Sequence, residues 1–279
     1  MTQTSPRKPA VAVLLGLLVP GLGQLYAGRP GRAAVAFCGS VGLAVFALSL
    51  GVPRSFSALV AVLVALLGTV VAVLVDAARQ SRIAGPYELR WYNRWYVYLV
   101  PMVLAAVIGL PAVSPILETR VFRIASSNME PTLLVGDRVV ADMQAFVSRG
   151  PTRNELVVYG SPDKPGALLI VRVVALSGDV VEIRDKKLLL NGRELEEPWV
   201  QHKDPRTFSA GPLAPEMGVR RDQMAARTVP EGTFFVLGDN RDLSYDSRFI
   251  GAIPLSSAKG NLLYLYWSGT LSRVGRALR

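Results

Sequence analysis

The chain has 279 residues, of which 51% are hydrophobic, a positive mean hydropathy and a formal net charge of +10. This hydrophobic content is too high for an ordinary soluble domain of this length. The charge does not indicate nucleic-acid binding, because residues 1–120 hold ten Lys and Arg against three acidic residues, whereas residues 121–279 hold 21 against 18. The excess flanks apolar segments, as loops on the cytoplasmic side of a membrane do. We expect membrane lipid as a partner, no nucleic acid and no cofactor.

Three apolar segments in the first part of the chain predict transmembrane helices, near residues 33–52, 57–75 and 96–117. Each is long enough to cross roughly 30 Å of hydrocarbon as a helix. Tryptophans and tyrosines between residues 91 and 98 precede the third segment, and such aromatic side chains favour a membrane interface. The sequence therefore predicts a membrane domain over residues 1–119.

A fourth apolar stretch, residues 10–28, is interrupted by Pro20 and Gly21. It predicts a kinked span or a re-entrant segment. A cleavable signal peptide is the alternative, because Arg7 and Lys8 precede the apolar run. The closely spaced glycines of this stretch are typical of close helix packing within a membrane and need no ligand.

The loop from residue 76 to residue 94 carries four arginines, which places it on the cytoplasmic side. The span that follows then runs outward. The sequence therefore predicts a multi-pass protein of the cell (inner or plasma) membrane, with everything after about residue 120 on the extracytoplasmic side.

From residue 120 to residue 279 the pattern changes to short apolar runs divided by turn residues, which predicts an all-β domain. Asn191-Gly192 predicts a tight hairpin, because both residues tolerate positive φ. The polar stretch from Gln201 to Arg227 is interpreted as a surface excursion or a partly disordered segment. Strands are predicted at Val121–Ile124, Arg138–Asp142, Glu155–Tyr159, Leu168–Leu176, Val180–Arg184, Lys187–Leu190, Thr233–Leu237 and Asn261–Trp267.

The chain has one cysteine, Cys38, and one histidine, His202. A disulfide framework and metal sites rich in His or Cys are therefore excluded, and no metal is expected. His202 lies in a polar run and is interpreted as a solvated surface residue. The alternative is a catalytic role for this histidine.

Three segments carry a family resemblance. They are Ser126-Ser-Asn-Met-Glu-Pro-Thr-Leu133 with Gly136-Asp137, Ile170-Val-Arg-Val-Val-Ala-Leu-Ser-Gly-Asp179, and the long polar run from Val229 to Gly251. They resemble the type I signal peptidases. The resemblance implies a fold of N-terminal transmembrane α-helices followed by an all-β, signal-peptidase-like extracytoplasmic domain. It also implies a Ser-Lys mechanism, in which a buried neutral lysine removes the serine proton.

Both chemical positions depart from this pattern. Asn128 stands where the resemblance expects the serine, and Val171 stands where it expects the lysine. A carboxamide has no readily removable proton, so it cannot replace the serine as a nucleophile. The sequence predicts a catalytically inactive homologue that binds signal peptides or precursor proteins, with the secretion machinery as a further partner. Two alternatives stay open: an active membrane-bound signal peptidase with a non-standard nucleophile such as Ser126, and a structural membrane module with a docking β domain.

The resemblance also assigns the surrounding residues. Ser126 corresponds to a position that helps hold the oxyanion, and Ser244 to the hydroxyl that bonds the lysine, so we expect Ser244 to bond Asn128 instead. Lys186 and Lys187 flank a turn and are interpreted as solvated. Peptide-binding or oxyanion-type residues are Ser126, Ser127, Met129, Pro131 and Ser244, and structural residues are Gly238, Asp239, Asn240, Arg241, Asp246, Ser247 and Arg248.

Overall fold

A computed structural model describes residues 4–49, 55–84, 86–88, 90–117, 119–161, 166–209 and 216–278. The chain divides into two compact units, Met1–Leu117 and Glu118–Arg279.

The first unit is helical. Within the described residues its α-helices are α1 (Pro9–Leu18), α2 (Leu22–Tyr26), α3 (Pro30–Ser49), α4 (Phe56–Ile83) and α5 (Trp95–Leu117). Two short strands, β1 (Thr4–Pro6) and β2 (Pro86–Glu88), form an antiparallel pair. α1 and α3 begin at prolines, whose missing N–H costs nothing at a helix start. Ser55 caps α4 by accepting a hydrogen bond from the backbone N–H of Ala58.

Two of these helices, α3 and α4, are long and apolar enough to cross a membrane. α4 continues to Ile83 instead of ending near residue 75. The end of the first predicted segment, residues 50–52, lies outside the described residues. α5 covers the third predicted segment, although its side chains are described only to Ile108. The number of spans and their orientation stay predictions.

The predicted interruption near residue 20 is present. α1 ends at Leu18 and α2 begins at Leu22, with Gly21 in a left-handed conformation at φ 96°. A Cβ at Gly21 would collide with the carbonyl oxygen of Ala33, and a Cβ at Gly23 with that of Ala12. These two glycines therefore serve close helix packing.

The second unit consists of two antiparallel sheets. The strands are β3 (Thr119–Arg123), β4 (Arg138–Asp142), β5 (Leu156–Gly160), β6 (Leu168–Leu176), β7 (Val180–Arg184), β8 (Lys187–Leu190), β9 (Arg193–Glu194), β10 (Met224–Thr228), β11 (Thr233–Leu237), β12 (Ile253–Pro254) and β13 (Ala258–Trp267), with short helices α6 (Glu216–Asp222) and α7 (Ser247–Ile250). The seven-stranded sheet has the order β12-β11-β6-β5-β13-β4-β3, and the four-stranded sheet has the order β10-β7-β8-β9. The predicted all-β character of this unit is confirmed, with two short helices added.

The predicted hairpin turn is also confirmed. Leu190 pairs with Arg193, and Asn191 and Gly192 both have positive φ, at 53° and 78°. This is the backbone geometry of the tight turns that match the twist of paired strands.

The interpretation of Gln201–Arg227 as an irregular excursion is wrong in part. Residues 210–215 of this stretch lie outside the described residues, but the stretch also contains α6 and most of β10. β10 pairs with β7, with Thr228 opposite Val180. Only Met224 of β10 is buried, so the strand lacks the apolar alternation that would have revealed it.

Alternate residues of β6 face different parts of the core. Val171 and Val173 belong to one buried apolar cluster, whereas Ile170 packs against a cluster built around Met129 and Leu133. This separation follows from the two-residue period of a strand. Ile170 and Val171 therefore pack in different parts of the core.

Candidate functional site

The segment that precedes β4 forms a closed loop rather than a strand. The backbone of Ile124 pairs with that of Gly136 and Asp137 at the base of the loop. Ser126, Ser127 and Asn128 lie in the irregular part. The turn brings the side chains of Ser126 and Asn128 into contact.

Asn128 is held by hydrogen bonds on each side of its carboxamide. Its Oδ1 accepts a bond from the hydroxyl of Ser126 at 2.5 Å, and its Nδ2 donates to the carbonyl oxygen of Ile170 at 3.0 Å. A hydroxyl donor on one side and a carbonyl acceptor on the other define the orientation of the amide. The backbone carbonyl of Asn128 also accepts a bond from the N–H of Asn240. Asn128 thus links the loop to β6 and to the segment after β11.

Val171 follows Ile170 on β6 but points into the core. It is 2% exposed and packs in a cluster with Val157, Val173 and Val236 among others. A lysine ammonium in such surroundings would be costly to keep charged, so its pKa would fall. Valine fills this position with apolar surface and offers no proton acceptor.

Ser244 does not bond Asn128, and the expectation that it does is wrong. Within the described part of the chain, the Ser244 hydroxyl oxygen is buried and has no hydrogen-bond partner. The side chain is packed against Gly238, where a Cβ would collide with it. A buried hydroxyl without a partner costs about 1–3 kcal/mol, so this is an unusual feature for a well-packed loop.

One side of β6 beside Asn128 is open. β5 pairs with β6 along Leu168–Arg172, but β11 pairs with β6 only from Arg172 onward. Among the described residues, no strand covers the other edge of residues 168–171. Leu169 on this segment is 40% exposed. An exposed strand edge of this kind can pair with another extended chain.

The scaffold around this edge contains buried ion pairs. Arg172 donates to both carboxylate oxygens of Asp239 at 2.8 and 2.6 Å, and their side chains are 3% and 0% exposed. The guanidinium also lies 4.5 Å from the centre of the Trp199 ring. Such bidentate pairs fix geometry as well as charge. Arg172 therefore fastens β6 to the end of β11.

The segment from Gly238 to Arg248 is cross-linked in the same manner. Arg248 donates to both carboxylate oxygens of Asp246 at 2.8 Å, and Arg241 donates to Glu197 at 2.6 Å. Asp246 accepts from the N–H of Gly238, which closes the loop on itself. The loop is thus rigid through charge-assisted bonds that need no catalytic residue.

Two further residues fasten this loop to its neighbours. Ser247 accepts a hydrogen bond from the backbone N–H of Val236 at 3.1 Å. Asn240 donates from Nδ2 to the carbonyl oxygen of Ser127 at 3.0 Å. The second contact adds to the backbone bond with Asn128, so the Asn128 loop is joined to the scaffold by two bonds.

The described lysines of the second unit bond to groups other than Ser126 and Ser127. Lys203 pairs with Glu130, and Lys187 with Glu194. The interpretation of Lys186 as solvated is wrong: its side chain is 10% exposed and its Nζ donates to the carbonyl oxygen of Asp204 at 2.6 Å. Lys259 donates to the carbonyl oxygen of Ser256, and Lys164 lies outside the described residues.

His202 lies in an exposed segment with its Nδ1 3.4 Å from a carboxylate oxygen of Asp242. Burial of the ring lowers the pKa of His202 below its usual value, against the opposing effect of Asp242. The imidazole is therefore neutral at pH 7. Its recorded hydrogen bond within the described chain is to Asp242 and does not reach Ser126 or Asn128.

The remaining predicted residues divide between surface and core. Ser126 and Pro131 are exposed, and Ser127 is half-buried. Met129 was predicted to contact peptide but is 1% exposed inside an apolar cluster, so its role is packing. Among the described residues, no group of three or more His, Cys, Asp or Glu side chains could hold a metal ion.

Sequence reasoning missed several contacts of this site. Glu197 and Trp199 come from the segment after β9, and each meets an arginine of the site. Arg273, near the end of the chain, donates to the carbonyl oxygen of Thr132 and to Asp137. These residues are distant in sequence from the motifs, and no local pattern could have identified them.

Comparison with known proteins places this chain among the signal peptidases. The family model described as signal peptidase, peptidase S26, matches residues 92–267. The probable signal peptidase I-2 of Synechocystis is 31% identical over 188 residues, which cover 66% of this chain and 77% of that protein. Signal peptidase IB of Staphylococcus aureus is 28% identical over 182 residues, covering 62% and 88%.

Two further relatives match over shorter shares. The thylakoidal processing peptidase 1 of Arabidopsis thaliana is 33% identical over 154 residues, which cover 52% of this chain but only 41% of that protein. The crystal structure of a signal peptidase I from Enterococcus faecalis is 32% identical and matches 41% of this chain and 97% of that chain, with a TM-score of 0.32. Because the family model covers more than half of its residues, the chain belongs to the signal peptidase family, peptidase S26.

Proposed function

We propose that the β domain of this chain, residues 120–279, binds the signal-peptide segments of precursor proteins without hydrolysing them. In this proposal Asn128 and Val171 occupy the positions of the nucleophile and the general base. The observation that carries the proposal is the bonding of Asn128, whose carboxamide joins Ser126 to Ile170. An amide used in this way is a structural link and not a nucleophile.

The absence of a general base at residue 171 also supports the proposal. Val171 offers no lone pair, and Ser244 is left with a buried, unpartnered hydroxyl within the described chain. By resemblance this hydroxyl would bond the lysine amine. A hydroxyl without a partner is what remains when the lysine is replaced and the serine is kept.

Ser126 lacks the environment that a substitute nucleophile needs. Its hydroxyl proton is directed at the amide oxygen of Asn128, which is too weak a base to remove it. Lys203 pairs with Glu130 of the motif and not with Ser126. Ser126 is therefore assigned to peptide or oxyanion-type contacts together with Ser127.

Peptide binding itself is supported by the open edge of β6. Leu168 and Ile170 direct their backbone groups towards this edge, where the carbonyl of Ile170 already bonds Asn128 and the other groups can pair with an extended segment. Strand addition of this kind gives affinity through main-chain hydrogen bonds. The scaffold pairs Arg172–Asp239 and Arg248–Asp246 hold this edge rigid. A rigid edge reduces the conformational cost of binding.

The proposal includes the location. Residues 1–119 form a multi-pass membrane domain, and the β domain lies on the extracytoplasmic side, where signal peptides emerge. The apolar helices α3 and α4 support the membrane part, and the arginines of residues 76–94 support the orientation. The secretion machinery is the partner class that this location brings near.

The test is photo-crosslinking of a precursor protein to the full chain in detergent. A photoreactive residue in the signal peptide should label the β domain, and the precursor should be recovered intact. Leu168→Pro removes one backbone donor on the open edge and should reduce labelling, because the N–H of Leu168 faces away from β5. The control is Leu271→Pro, at an exposed residue that begins a short 3₁₀ turn, where proline is tolerated. Labelling that is absent in the wild type would support a structural membrane module, and would end the binding proposal.

A further inference from the structure

A cavity of about 330 Å³ lies on the β domain beside the motif loop and is lined by Pro131, Thr132, Pro198, Trp199, Arg273 and Arg276. Its volume lies within the usual range for small-molecule sites. Its wall combines proline surface with nitrogen donors, and it is distinct from the open edge of β6.

Three nitrogen donors of this cavity have no acceptor among the described residues. The indole Nε1 of Trp199 and the Nε of Arg273 are buried and unpartnered. The guanidinium of Arg276 is exposed, and within the described chain it forms no recorded ion pair or side-chain hydrogen bond. Trp and Arg nitrogens can only donate, so no internal rearrangement converts them to acceptors. An acceptor from outside the chain, an anion or a water molecule, would satisfy the two buried donors.

The charge balance of the wall is positive. Arg273 is paired with Asp137 at 2.8 Å, and Arg172, which lies over the Trp199 ring, is paired with Asp239. Arg276 adds a positive charge without a matching carboxylate. Guanidinium groups bind oxyanions through strong, charge-assisted hydrogen bonds.

Arg273 is held in place before any ligand enters. Its Nη1 and Nη2 donate to the carbonyl oxygens of Pro131 and Thr132. Because Nη2 also bonds Asp137, the side chain is fixed on several sides while its Nε stays unused. A donor fixed in this way loses little entropy when it binds.

From the unpartnered donors and the excess charge we infer that this cavity is a binding site for a small oxyanion of the phosphate class, supplied free or as a lipid headgroup. Trp199 Nε1, Arg273 Nε and Arg276 are its donors. The inference does not depend on whether the chain hydrolyses peptides, because none of these residues belongs to the Asn128–Val171 pair.

The test follows the indole N–H of Trp199 by NMR in the full chain, labelled with ¹⁵N-tryptophan in a phosphate-free maltoside detergent. Four indole signals are expected, because the chain has four tryptophans, and Trp199→Phe identifies the relevant one. Inorganic phosphate is added at constant ionic strength. The Trp199 signal should shift to saturation while the other three stay in place.

A second measurement tests whether the anion is a lipid headgroup. In nanodiscs of phosphatidylglycerol the Trp199 signal should shift relative to nanodiscs of phosphatidylcholine if the headgroup is the ligand. A shift with free phosphate alone assigns the soluble anion, and a shift in phosphatidylglycerol alone assigns the lipid. No saturable shift in either arm overturns the inference.

The matched variants are Arg276→Gln and Arg193→Gln. Both remove one exposed arginine charge, but Arg193 does not line the cavity. Arg276→Gln should weaken binding by about tenfold or more, the effect of losing a charge-assisted hydrogen bond, and Arg276→Lys should recover part of it. Arg193→Gln should leave the affinity unchanged. Equal affinities of the Arg276→Gln variant and the wild type would also overturn the inference.

Discussion

The loop of residues 124–137 and the loop of residues 238–251 contribute to one site but differ in what they retain. The second loop is held by buried charge pairs such as Asp246 with Arg248. The first presents Asn128, and β6 beside it presents Val171, neither of which can take part in nucleophilic catalysis. The rigidity of the cleft and its chemistry therefore depend on different residues.

The largest expected effect comes from restoring both chemical groups. Asn128→Ser with Val171→Lys should raise precursor cleavage by at least about 100-fold over the wild type, because a general base alone contributes about 10²–10⁴ to a rate. The apolar cluster around residue 171 should lower the pKa of the introduced lysine and leave it neutral. Cleavage is measured by gel shift of the precursor.

The control is Asn128→Ser alone, which supplies a hydroxyl without a base and should stay inactive. If the single variant were as active as the double variant, residue 171 would not be the position of the base. A double variant that binds signal peptide but stays inactive would show that the cleft has lost more than these two groups.

The next effect concerns the rigid loop. Asp239→Asn leaves the guanidinium of Arg172 buried without its carboxylate, which should cost about 3–5 kcal/mol. The control is Glu194→Gln, which breaks an ion pair whose side chains are 56% and 63% exposed and should cost about 0–1 kcal/mol. Thermal unfolding of the detergent-solubilised chain measures both. Equal small losses would mean that the buried pair does not hold the scaffold.

Much of the β domain follows from its sequence pattern. The bounds of β4, β6, β7, β8 and β11 coincide with the predicted ones, because these strands combine short apolar runs with clear turn residues. β10 was missed, since its side chains are mostly exposed and its pairing with β7 is a tertiary effect.

The site was less accessible to sequence reasoning. Asn128 and Val171 could be identified from the motif, but the contact between Ser126 and Asn128 depends on a loop conformation that no sequence pattern specifies. The bonding of Ser244 was also predicted wrongly, because residues of two motifs that meet at Gly238 need not bond through their side chains. Contacts such as Arg172 with Trp199 depend on the packing of distant segments.

A smaller effect tests the orphaned hydroxyl. Ser244→Ala removes a buried group without a recorded partner, so stability should stay unchanged or rise by up to about 1 kcal/mol. The matched change Ser247→Ala removes a hydroxyl that accepts a bond from Val236 and should cost about 1–2 kcal/mol. The two variants are compared by thermal unfolding. A comparable loss in Ser244→Ala would show that the hydroxyl has a partner after all.

A further effect is a pH dependence outside the site. Burial raises the pKa of Asp179, but hydrogen bonds from Arg153, the backbone of Leu176 and Asn191 outweigh it and lower the pKa to about 2. Because the folded pKa lies below the unfolded value, this carboxylate stabilises the fold above about pH 4 and loses that effect as the pH falls towards 2.

Asp179→Asn should therefore lower stability by about 1–2 kcal/mol at pH 7 and by much less near pH 2. Glu231→Gln, at an exposed residue, is the control. Unfolding midpoints measured at several pH values give the comparison. A loss that is the same at pH 7 and pH 2 would exclude ionisation of Asp179 as its cause.

The central claim is that this chain holds a signal peptide without cutting it. The most direct measurement incubates purified full-length protein in detergent with a precursor protein and follows the precursor by mass spectrometry, beside the Ser126→Ala variant. The account predicts that both proteins leave the precursor intact and that the wild type crosslinks to the signal peptide. Cleavage at one site by the wild type, abolished by Ser126→Ala, would contradict it.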